Sequence, residues 1–578
     1  MKYIYIILSF SIVLFASLDN NITKEYQLVI TAPKFLNKED IAKELGVKSN
    51  NSLNFFNKKY ILTQEFVDNI KPTLKGYLDS HGYFDAKFNI DKRGNIIYLS
   101  IKAGKPVRVE NIKIDSNFKV KNLINFKKGD IFLSEKFDKI KDKIETKLLE
   151  NGYCNAKIDT KAYIDLNRHS ANLKYSIDKN YLCYFGDINI TKKPYDIKSD
   201  VILSRIAYKK GEVFDIRKIQ DSYNGLNALK TFANLQIKYD LDKKSKFVDT
   251  SIELDKKEKL RRFTLAFGLD SEIGLRVKSL WEKHNFLHNA KKLSYELSIS
   301  RKVQKFKSKL FAPAFLNIKN RYFDIYSSIG LLRDKEDAYT QKSGFIKSYL
   351  LYNYHGFDLE YGLTLERLNI KLNKDYSAKI GGIFNILSPY LTIIYDKRDS
   401  KIDPKNGFLV KAHGEIGLNY RKNGVKYFKY LLEGRVIKSF NDLTLSAVCK
   451  FGAIHETNGK LPASKLFYGG GLFSNRAYGK DKIGAVLSNK SFTQLGGKSF
   501  VNLQLEANYK IHKRFYGAIF FDSTMISKQE YKFNGNRIDT LGFGIRYKTP
   551  IGPVKVDIGF NIHKRKDYAI SIMLGQSF

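Results

Sequence analysis

The second half of the chain, residues 260–578, consists of short segments in which apolar and polar residues alternate, separated by turns of Gly, Asn, Asp and Lys. In residues 501–509, VNLQLEANY, the odd positions are apolar and all four even positions are polar. Successive side chains of a strand point to opposite faces, so these segments predict strands with one apolar face. The region has room for about 16 strands at roughly 20 residues per strand and connection.

The same alternation continues to the last residue. Residues 541–548 and 554–560 show it clearly. A soluble β-sandwich also alternates, but its water-facing surfaces would not carry aliphatic and aromatic residues on so many successive strands. We therefore predict an all-β transmembrane barrel of about 16 antiparallel strands over residues 260–578. The final segment places one apolar set on a single face: Tyr568, Ile570, Ile572, Leu574 and Phe578.

Residues 24–257 combine β-rich runs with amphipathic helical stretches, and one pattern returns every 70 to 80 residues or so. In two copies a helix with apolar residues at helical spacing ends on Gly-Tyr, at Gly82 and at Gly152. A third, looser copy has Thr231-Phe232 in place of Gly-Tyr. We predict three α+β repeats at 24–104, 105–180 and 181–257. The predicted helix faces are Phe66, Ile70, Leu74 and Leu78, then Phe137, Ile140, Ile144 and Leu148.

The N-terminus has the layout of a secretory signal peptide. Residues 1–17 place one Lys before a run of apolar residues and end on the small pair Ala16-Ser17. The alternative is a membrane anchor, but the apolar stretch is shorter than the roughly 20 residues that a spanning helix needs. The three cysteines Cys154, Cys183 and Cys449 are an odd number, and we predict small buried apolar residues rather than a bridge.

Several classes of function are excluded by what the sequence lacks. A net charge of +41 would suit a nucleic-acid partner, but the lysines are spread through every segment and no nucleic-acid module is visible. The nine histidines are scattered, and there is no His-Glu-x-x-His, Gly-x-Ser-x-Gly or P-loop motif. We predict that the protein is not an enzyme and has no cofactor, metal site or nucleic-acid partner. A passive porin would not need the repeats at 24–257.

The order of elements in the repeats, β-α-α-β-β with a Gly-Tyr helix stop, resembles the POTRA domain, a periplasmic module. The resemblance implies that the modules bind unfolded client proteins by adding a strand to an exposed sheet edge, a mode based on main-chain hydrogen bonds. The alternative is a generic α+β repeat that only spaces other domains.

Within the barrel region, residues 466–484, LFYGGGLFSNRAYGKDKIG, resemble the inward-folded sixth loop of the BamA/TamA superfamily of outer-membrane assembly factors. The family has Arg-Gly-Tyr or Arg-Gly-Phe where this chain has Arg476-Ala477-Tyr478, and alanine is tolerated only if φ is negative there. The resemblance places an inward-folded loop near 456–490. Further resemblances follow in order: the family strand motif Asp396, Arg398 and Asp399, the acidic strands at 496–506 and 520–522, and the penultimate strand at 541–559.

The same loop suggests a latch between loop and barrel. An arginine on a loop inside the lumen is always charged, and its planar fork can be held by carboxylates on the wall. Alternation puts Glu506 on the lumen side, and Asp522 can hardly face lipid. We predict that Arg476 pairs with Glu506 and Asp522, with Tyr478 beside it. The alternative is that these are ordinary lumen charges solvated by water.

A closed barrel has no free strand edge, so an insertase must open one. The resemblance implies a weak seam between the first strand, 262–269, and the last, 568–578, where a client strand pairs beside a thinned bilayer. Glycine leaves a strand position unpacked, which fits poor pairing at Gly268 and Gly575. The predicted seam residues are Phe263, Leu265, Phe267, Gly268, Ile570, Ile572, Leu574, Gly575 and Phe578.

Within the superfamily, three repeats and the barrel-start segment 268–276 with Trp281 most resemble TamA. The resemblance implies an outer-membrane translocation and assembly factor for β-barrel or autotransporter clients, with its POTRA domains in the periplasm of a diderm bacterium. It also implies a TamB-like, inner-membrane-anchored partner and contacts with outer-membrane lipids. Two alternatives are a BamA-like general insertase, typically with five POTRA domains, and a two-partner secretion pore, with two POTRA domains and a plug helix.

Overall fold

The structure is a computed structural model. The predicted signal peptide lies outside the residues that it describes, as do Gly575 and Phe578. Two compact units are present: one holds the first two repeats and part of the third, and the other holds the rest of the third repeat and the barrel. The described residues are 25–49, 60–241, 245–354, 356–373, 380–401, 403–420, 424–457, 460–487, 494–549, 552–564 and 566–574.

The first repeat is a five-stranded sheet with helices packed on it. The strand order is β2-β3-β1-β5-β4, and β1 runs parallel to β5. Helix α3 buries Ile70, Leu74 and Leu78, as its spacing predicted. Phe66 was wrongly assigned to this helix: it lies on the short α2, which ends before Asp68, and its side chain is exposed. The elements are β1 (Glu25–Thr31), α1 (Lys38–Glu44), β2 (Lys48–Ser49), β3 (Tyr60–Thr63), α2 (Gln64–Val67), α3 (Ile70–Ser80), β4 (Lys87–Arg93) and β5 (Ile96–Lys102).

The second and third repeats each form a three-stranded sheet, ordered β6-β8-β7 and β10-β11-β9. Helix α4 buries all four residues of its predicted face, Phe137, Ile140, Ile144 and Leu148. Among the described residues, no helix is long and apolar enough to cross a membrane. The elements are β6 (Arg108–Ser116), α4 (Ser134–Glu150), β7 (Lys157–Asp165), β8 (Ser170–Asp178), β9 (Tyr184–Lys192), α5 (Ser199–Leu203), α6 (Ile216–Ala228), β10 (Phe232–Tyr239) and β11 (Phe247–Lys256).

The glycine of each Gly-Tyr stop is needed where one repeat meets the next. Gly82 and Gly152 both have φ of +85°. A Cβ on Gly82 would lie 2.6 Å from the carbonyl oxygen of Phe132, and one on Gly152 would lie 2.6 Å from Cγ1 of Val213. The third repeat, which lacks this glycine, ends its helix with Lys230 at φ +56° instead. The stops therefore serve both as left-handed helix ends and as close contacts between repeats.

The prediction for the cysteines was wrong. Cys154 and Cys183 form a disulfide, with their Cα atoms 5.9 Å apart. The physical reason is the joint itself: the amide of Cys183, at the start of the third repeat, donates to the carbonyl of Gly152 at 2.8 Å and so brings the two thiols together. Cys449 is free, and it is exposed on the outer face of a barrel strand rather than buried. The three cysteines are thus one disulfide and one free thiol.

The rest of the chain forms a closed, antiparallel barrel of 16 strands, which confirms the predicted barrel. Outward positions are apolar, for example Leu541, Phe543 and Ile545, which are all exposed. Because the repeats precede β12, its first residue lies at the periplasmic end. The strands are β12 (Arg261–Asp270), β13 (Gly274–Lys283), β14 (Lys292–Ile299), β15 (Val303–Ile318), β16 (Arg321–Lys335), β17 (Tyr339–Tyr354), β18 (Phe357–Leu372), β19 (Gly382–Asp396), β20 (Gly407–Asn419), β21 (Lys426–Phe440), β22 (Leu443–Thr457), β25 (Ser499–His512), β26 (Phe515–Ser527), β27 (Asn536–Thr549), β28 (Gly552–Asn561) and β29 (Tyr568–Leu574), with β23 (Val486–Leu487) and β24 (Gln494–Leu495) pairing in the loop between β22 and β25.

Candidate functional site

The long loop between β22 and β25 packs against inward-facing wall residues near the extracellular end of the barrel. It contains one turn of 3-10 helix, Ala463–Lys465. Phe467 of the loop stacks on Phe500 of the wall, with ring centroids 5.5 Å apart. The loop and wall thus share one apolar core inside the barrel. From the loop it includes Leu461, Ala463, Phe467, Ile483 and Leu495, and from the wall Tyr339, Leu368, Ile370, Phe384, Ile386, Tyr427, Ile454, Phe500, Ile526 and Ile538.

Two glycines turn the loop toward the centre of the lumen. Gly470 and Gly471 have φ of +99° and +86°. A Cβ on Gly470 would lie 2.3 Å from the carbonyl oxygen of Gly479, and one on Gly471 would lie 2.6 Å from Oε1 of Glu272. The following amide, of Leu472, donates to the same Glu272 oxygen at 3.0 Å. The glycines are therefore required by both φ and space, and they bring the loop against the turn after β12.

Arg476 lies at the tip of the loop and is only 3% exposed. Its Nε and Nη2 donate to the two carboxylate oxygens of Asp522 at 2.9 and 2.8 Å, which is a bidentate pair. The backbone N–H of Arg476 donates to Asp522 as well, at 3.0 Å, and Nη1 donates to Glu506. The guanidinium carbon lies 3.4 Å from the centroid of the Phe520 ring. The structure thus brings together the three charged residues that the sequence predicted to pair.

Sequence reasoning missed two further charged members. Asp557 has a carboxylate oxygen 3.6 Å from Nη1 of Arg476, and Arg546 pairs with both Asp557 and Glu506. The network therefore holds two guanidinium groups and three carboxylates. Asp557 is a polar position of the alternating segment 554–560, but alternation does not say how far along the barrel axis two strands are shifted.

Three wall glycines make room for this network. A Cβ on Gly559 would lie 2.7 Å from both the carbonyl carbon and oxygen of Arg476. On Gly544 it would lie 1.9 Å from a carboxylate oxygen of Asp557, and on Gly542 2.3 Å from the Phe520 ring. The signal for these positions was visible in the sequence as glycines at lumen-facing positions of two successive strands. Because Gly559 lacks a Cβ, the backbone of the wall can contact the backbone of the loop there.

The loop around Arg476 is also hydrogen-bonded to the wall by neutral groups. Asn475 is fully buried; it donates to the carbonyl of Ile538 at 3.0 Å and accepts from the hydroxyl of Thr540 at 2.8 Å. Asn502 donates to the carbonyl of Ser474 at 2.9 Å. These partners satisfy buried polar groups that would otherwise be costly. They belong to β25 and β27, so the loop is fixed to several neighbouring strands.

Tyr478 and Ala477 complete the predicted motif. The Tyr478 hydroxyl donates to Asp567 at 2.7 Å and accepts from Asn561 at 2.8 Å. Ala477 is buried and is not among the residues with positive φ, so alanine is compatible with the backbone at that position. Tyr478 therefore contacts the extracellular turn between the last two strands rather than the charged network.

The family strand motif lies elsewhere, at the periplasmic end of β19. Nε and Nη2 of Arg398 donate to the two oxygens of Asp396, each at 2.8 Å. The amides of Lys405 and Asn406 donate to Asp399 at 2.8 and 3.0 Å, and these bonds lower the pKa of that carboxyl. The three residues shape the turn between β19 and β20. No contact between them and the Arg476 network is present in the described part of the chain.

At the seam, the two strands are shifted far past each other. Residues Leu269 and Asp270 of β12 pair with Leu574 and Met573 of β29, and the amide of Ser271 donates to Ile572 at 3.0 Å. On its other side β12 pairs with β13 along its whole length. Within the described residues, 261–268 have no partner across the seam. The predicted seam residues Phe263, Leu265, Phe267, Ile570 and Ile572 are exposed on the outer face.

No group of three or more His, Cys, Asp or Glu side chains suited to a metal ion is found among the described residues. The described site consists of ion pairs and hydrogen bonds between loop and wall, and of the β12–β29 pairing at Leu269 and Asp270.

A 16-stranded barrel with a loop folded inside it, preceded by α+β repeats, defines an outer-membrane β-barrel protein with a periplasmic extension. The chain belongs to the Omp85 superfamily: the Omp85 superfamily domain matches residues 285–578, and the POTRA family, described as the surface antigen variable number repeat, matches residues 105–180. The barrel lies in the outer membrane, and its POTRA domains lie in the periplasm.

The chain is similar to several assembly factors. It is 21% identical to the outer membrane protein assembly factor BamA of Nitratidesulfovibrio vulgaris over 570 residues, covering 92% of this chain and 70% of that protein. It is 24% identical to BamA of Buchnera aphidicola subsp. Acyrthosiphon pisum over 363 residues, covering 57% and 56%. Its fold is similar to the crystal structure of Haemophilus ducreyi BamA lacking POTRA domains 1–3, with a TM-score of 0.54 and 14% identity, covering 82% of this chain and all of that one.

Proposed function

We propose that this protein inserts client β-barrel or autotransporter proteins into the outer membrane, and that the client strand pairs at the seam between β12 and β29. The observation that carries this proposal is the seam, where, among the residues that the structure describes (568–574 of the last strand), β12 pairs with β29 at Leu269 and Asp270. An unpaired strand edge presents a row of N–H and C=O groups that another strand can use. In lipid these N–H and C=O groups must be hydrogen-bonded to protein, because no water is available. Pairing of a client strand at this edge is therefore energetically favourable.

The loop contributes rigidity beside this weak seam. Arg476 connects β25, β26 and β28 through Glu506, Asp522 and Asp557, and Leu472 holds Glu272 beyond β12. The proposed role of this latch is to keep the wall on the C-terminal side of the seam in shape while β29 parts from β12. The loop residues act by positioning strands, and the protein has no catalytic role in this account.

The finer proposal is a TamA-like translocation and assembly factor with a TamB-like periplasmic partner. Its support is the number of α+β repeats and the barrel-start segment 268–276 with Trp281. The alternative is a BamA-like general insertase, which is favoured by the assembly factors named BamA that align with most of the chain. In either case unfolded outer-membrane proteins are the clients, and outer-membrane lipids surround the seam.

The test is depletion of the protein in its native cell, followed by quantification of all outer-membrane proteins. Loss of a few autotransporter-like proteins, or a changed lipid barrier alone, supports the TamA-like function. A broad, lethal loss of barrels supports the BamA-like alternative. Loss of one secreted protein would instead indicate a dedicated secretion pore, and an unchanged outer membrane would refute an assembly function altogether.

A further inference from the structure

The periplasmic turn between β13 and β14 has an unusual backbone. Leu287, His288, Asn289 and Ala290 are consecutive residues with φ of +52°, +64°, +56° and +54°. Left-handed backbone is costly for residues with a Cβ, and it is normally visited by single residues rather than by runs. Such an outlier persists only where surrounding contacts hold it, and strained segments concentrate at functional sites.

The third repeat supplies those contacts. The carbonyl of Asp196 accepts from the amide of Asn289 at 3.0 Å, and its carboxylate accepts from Nδ2 of Asn285 at 2.8 Å. In return, Oδ1 of Asn289 accepts from the amide of Lys198 at 3.0 Å. Within the turn, Oδ1 of Asn285 accepts from the amide of Ala290 at 2.9 Å. The turn is therefore built jointly by the barrel and by the segment that follows β9.

The turn and the adjoining segment expose two apolar side chains, with the ring of His288 exposed beside them. Leu287, at the start of the left-handed run, is 67% exposed, and Tyr195, next to Asp196, is 86% exposed. Around them lie lysines: Nζ of Lys256 is 5.1 Å from the Tyr195 ring, and Nζ of Lys283 is 5.6 Å from the ring of Phe286. Exposing a leucine side chain to water on a strained backbone does not stabilise the folded protein by itself. Apolar tips with basic neighbours suit a membrane surface with anionic headgroups.

The position of the turn agrees with this chemistry. At the periplasmic end of the barrel, Trp281 stacks on Tyr295 with centroids 5.5 Å apart, and Tyr295 stacks on Phe306 at 6.4 Å. Phe263, which pairs with Trp281, is exposed on the outer face. Aromatic belts of this kind mark the level where hydrocarbon meets headgroups. Since β13 ends two residues after Trp281, the turn begins at headgroup depth.

We propose that Leu287 and Tyr195 form an anchor that enters the headgroup region of the periplasmic leaflet, and that Lys283 and Lys291 contact the phosphates of anionic phospholipids there. Among the described residues, no carboxylate lies within ion-pair distance of Lys283 or Lys291, so both charges are available to lipid. The anchor ties the third repeat and the first strands of the barrel to the same lipid surface. It rests on the outer-membrane location and not on the identity of the clients.

The test uses tryptophan fluorescence of the full-length protein in phosphatidylethanolamine/phosphatidylglycerol liposomes. Trp281 is the one tryptophan of the sequence, so Trp281→Phe with Leu287→Trp leaves a single reporter at the anchor. We expect at least twofold stronger quenching by lipids spin-labelled near the headgroup than by lipids labelled deep in the chain, and weak quenching by iodide. Strong iodide quenching without lipid quenching would overturn the anchor.

Two references and a second reporter accompany this measurement. Wild-type Trp281 reports a position inside the aromatic belt, and Phe35→Trp in the Trp281→Phe background reports an exposed aromatic of the first repeat. Equal lipid quenching at positions 35 and 287 would mean general adsorption and would overturn the proposal. If Leu287→Trp does not fold, Tyr195→Trp carries the same expectation.

The lysines are tested by lipid charge. Replacing phosphatidylglycerol with phosphatidylcholine should at least halve the headgroup quenching of the Leu287→Trp reporter. Adding Lys283→Gln and Lys291→Gln should lower that quenching in the charged liposomes and remove the lipid dependence, whereas Lys513→Gln, in another periplasmic turn, should change neither. Equal quenching in both lipids would overturn the assignment of these lysines to phosphates.

Discussion

Arg476 is a charged group held almost completely away from water. Its guanidinium loses hydration on burial, but it gains a bidentate pair with Asp522, a bond to Glu506 and the face of Phe520. Arginine suits such a position because its planar fork fits a carboxylate and stacks on an aromatic ring. A buried pair adds modest net stability, but removing one partner leaves an uncompensated charge. The consequences for mutation are therefore asymmetric.

Replacing Arg476 with alanine should destabilise the barrel by about 3–5 kcal/mol, because Asp522 and Glu506 would stay buried without a counter-charge. The measurement is heat-modifiable migration on gels together with urea unfolding of the barrel in detergent. Arg537→Ala is the matched control, because the Arg537 side chain pairs with Asp539 while remaining 62% exposed. Unchanged barrel stability together with unchanged client assembly in Arg476→Ala would contradict the proposed latch.

Gly559 tests the contact between loop and wall backbones. Alanine there should cost about 1–3 kcal/mol, since its Cβ would overlap the Arg476 carbonyl, which cannot rotate away as a side chain would. Urea unfolding of the folded barrel is again the measurement. Gly434→Ala is the control, because that Cβ would meet nothing within 4 Å on another barrel strand. Equal stability of the two variants would show that the loop is free to move.

Sequence alternation correctly indicated which residues face the lumen, including Glu506. It could not indicate that Asp557 and Arg546 join Arg476, because sliding a strand by two residues leaves every face unchanged. The register is set by pairs such as Gly544 with Asp557 and Gln504 with Asp522, which no single strand encodes. Which lumen-facing side chains lie at the same height along the barrel axis could therefore be learned only from the structure.

Between elements, the joint of the second and third repeats is covalent. The disulfide encloses 29 residues of sequence separation, so Cys154→Ala should lower the free energy of unfolding of this region by about 2–4 kcal/mol. Pulse proteolysis of the full-length protein in urea measures this, with cleavage mapped to residues 105–257. Cys449→Ala, which removes the free thiol on the barrel, should leave that cleavage unchanged. Identical cleavage in both variants would refute a stabilising joint.

The contact between Asp196 and the β13–β14 turn should depend on pH. Burial alone would raise the pKa of Asp196, but hydrogen bonds from Asn285 and His288 and the charge of Lys256 outweigh it and lower that pKa. The ionised carboxylate of Asp196 therefore stabilises the folded turn at pH values above its unfolded-state pKa of about 3.9. This stabilisation is lost as the pH falls through the lower folded-state pKa. Protection of the turn should therefore weaken below about pH 4.

Hydrogen exchange of residues 284–291, corrected for intrinsic rates, measures this protection between pH 7 and pH 3. Asp196→Asn keeps an oxygen acceptor but does not titrate, so its protection should be flat over the same range. If the variant loses protection on acidification as the wild type does, a different group controls the turn.

Helices and strands were predictable where periodicity was long, as in α4, whose four apolar positions are all buried. The left-handed turn at Leu287–Ala290 was not predictable, because it contains no glycine and is held by Asp196, some 90 residues away in sequence. The disulfide was missed for the same reason: only the joint at Gly152 brings Cys154 to Cys183. Contacts between distant segments overrode local preference in both cases.

On the scale of the whole molecule, the interactions that hold neighbouring strands together are distributed unevenly around the barrel. The strands β25 to β28 are tied to the internal loop by Arg476 and its neighbours, while β12 and the described part of the last strand, β29, pair at Leu269 and Asp270. Length and alternation predicted the 16 strands, since both follow from crossing a bilayer. They did not predict the shift at the seam, which depends on how the sheet closes. This unevenness is the physical basis of the proposed insertion mechanism.

A disulfide across the seam tests that mechanism most directly. Leu269 and Leu574 are direct partners, so Leu269→Cys with Leu574→Cys, in a Cys449→Ser background, can be oxidised in the native cell after depletion of the wild type. The account predicts that the locked protein is folded and inserted but assembles no clients, and that reduction restores assembly, while the Cys449→Ser background alone is unaffected by either treatment. Client assembly that continues through a fully locked seam would contradict it.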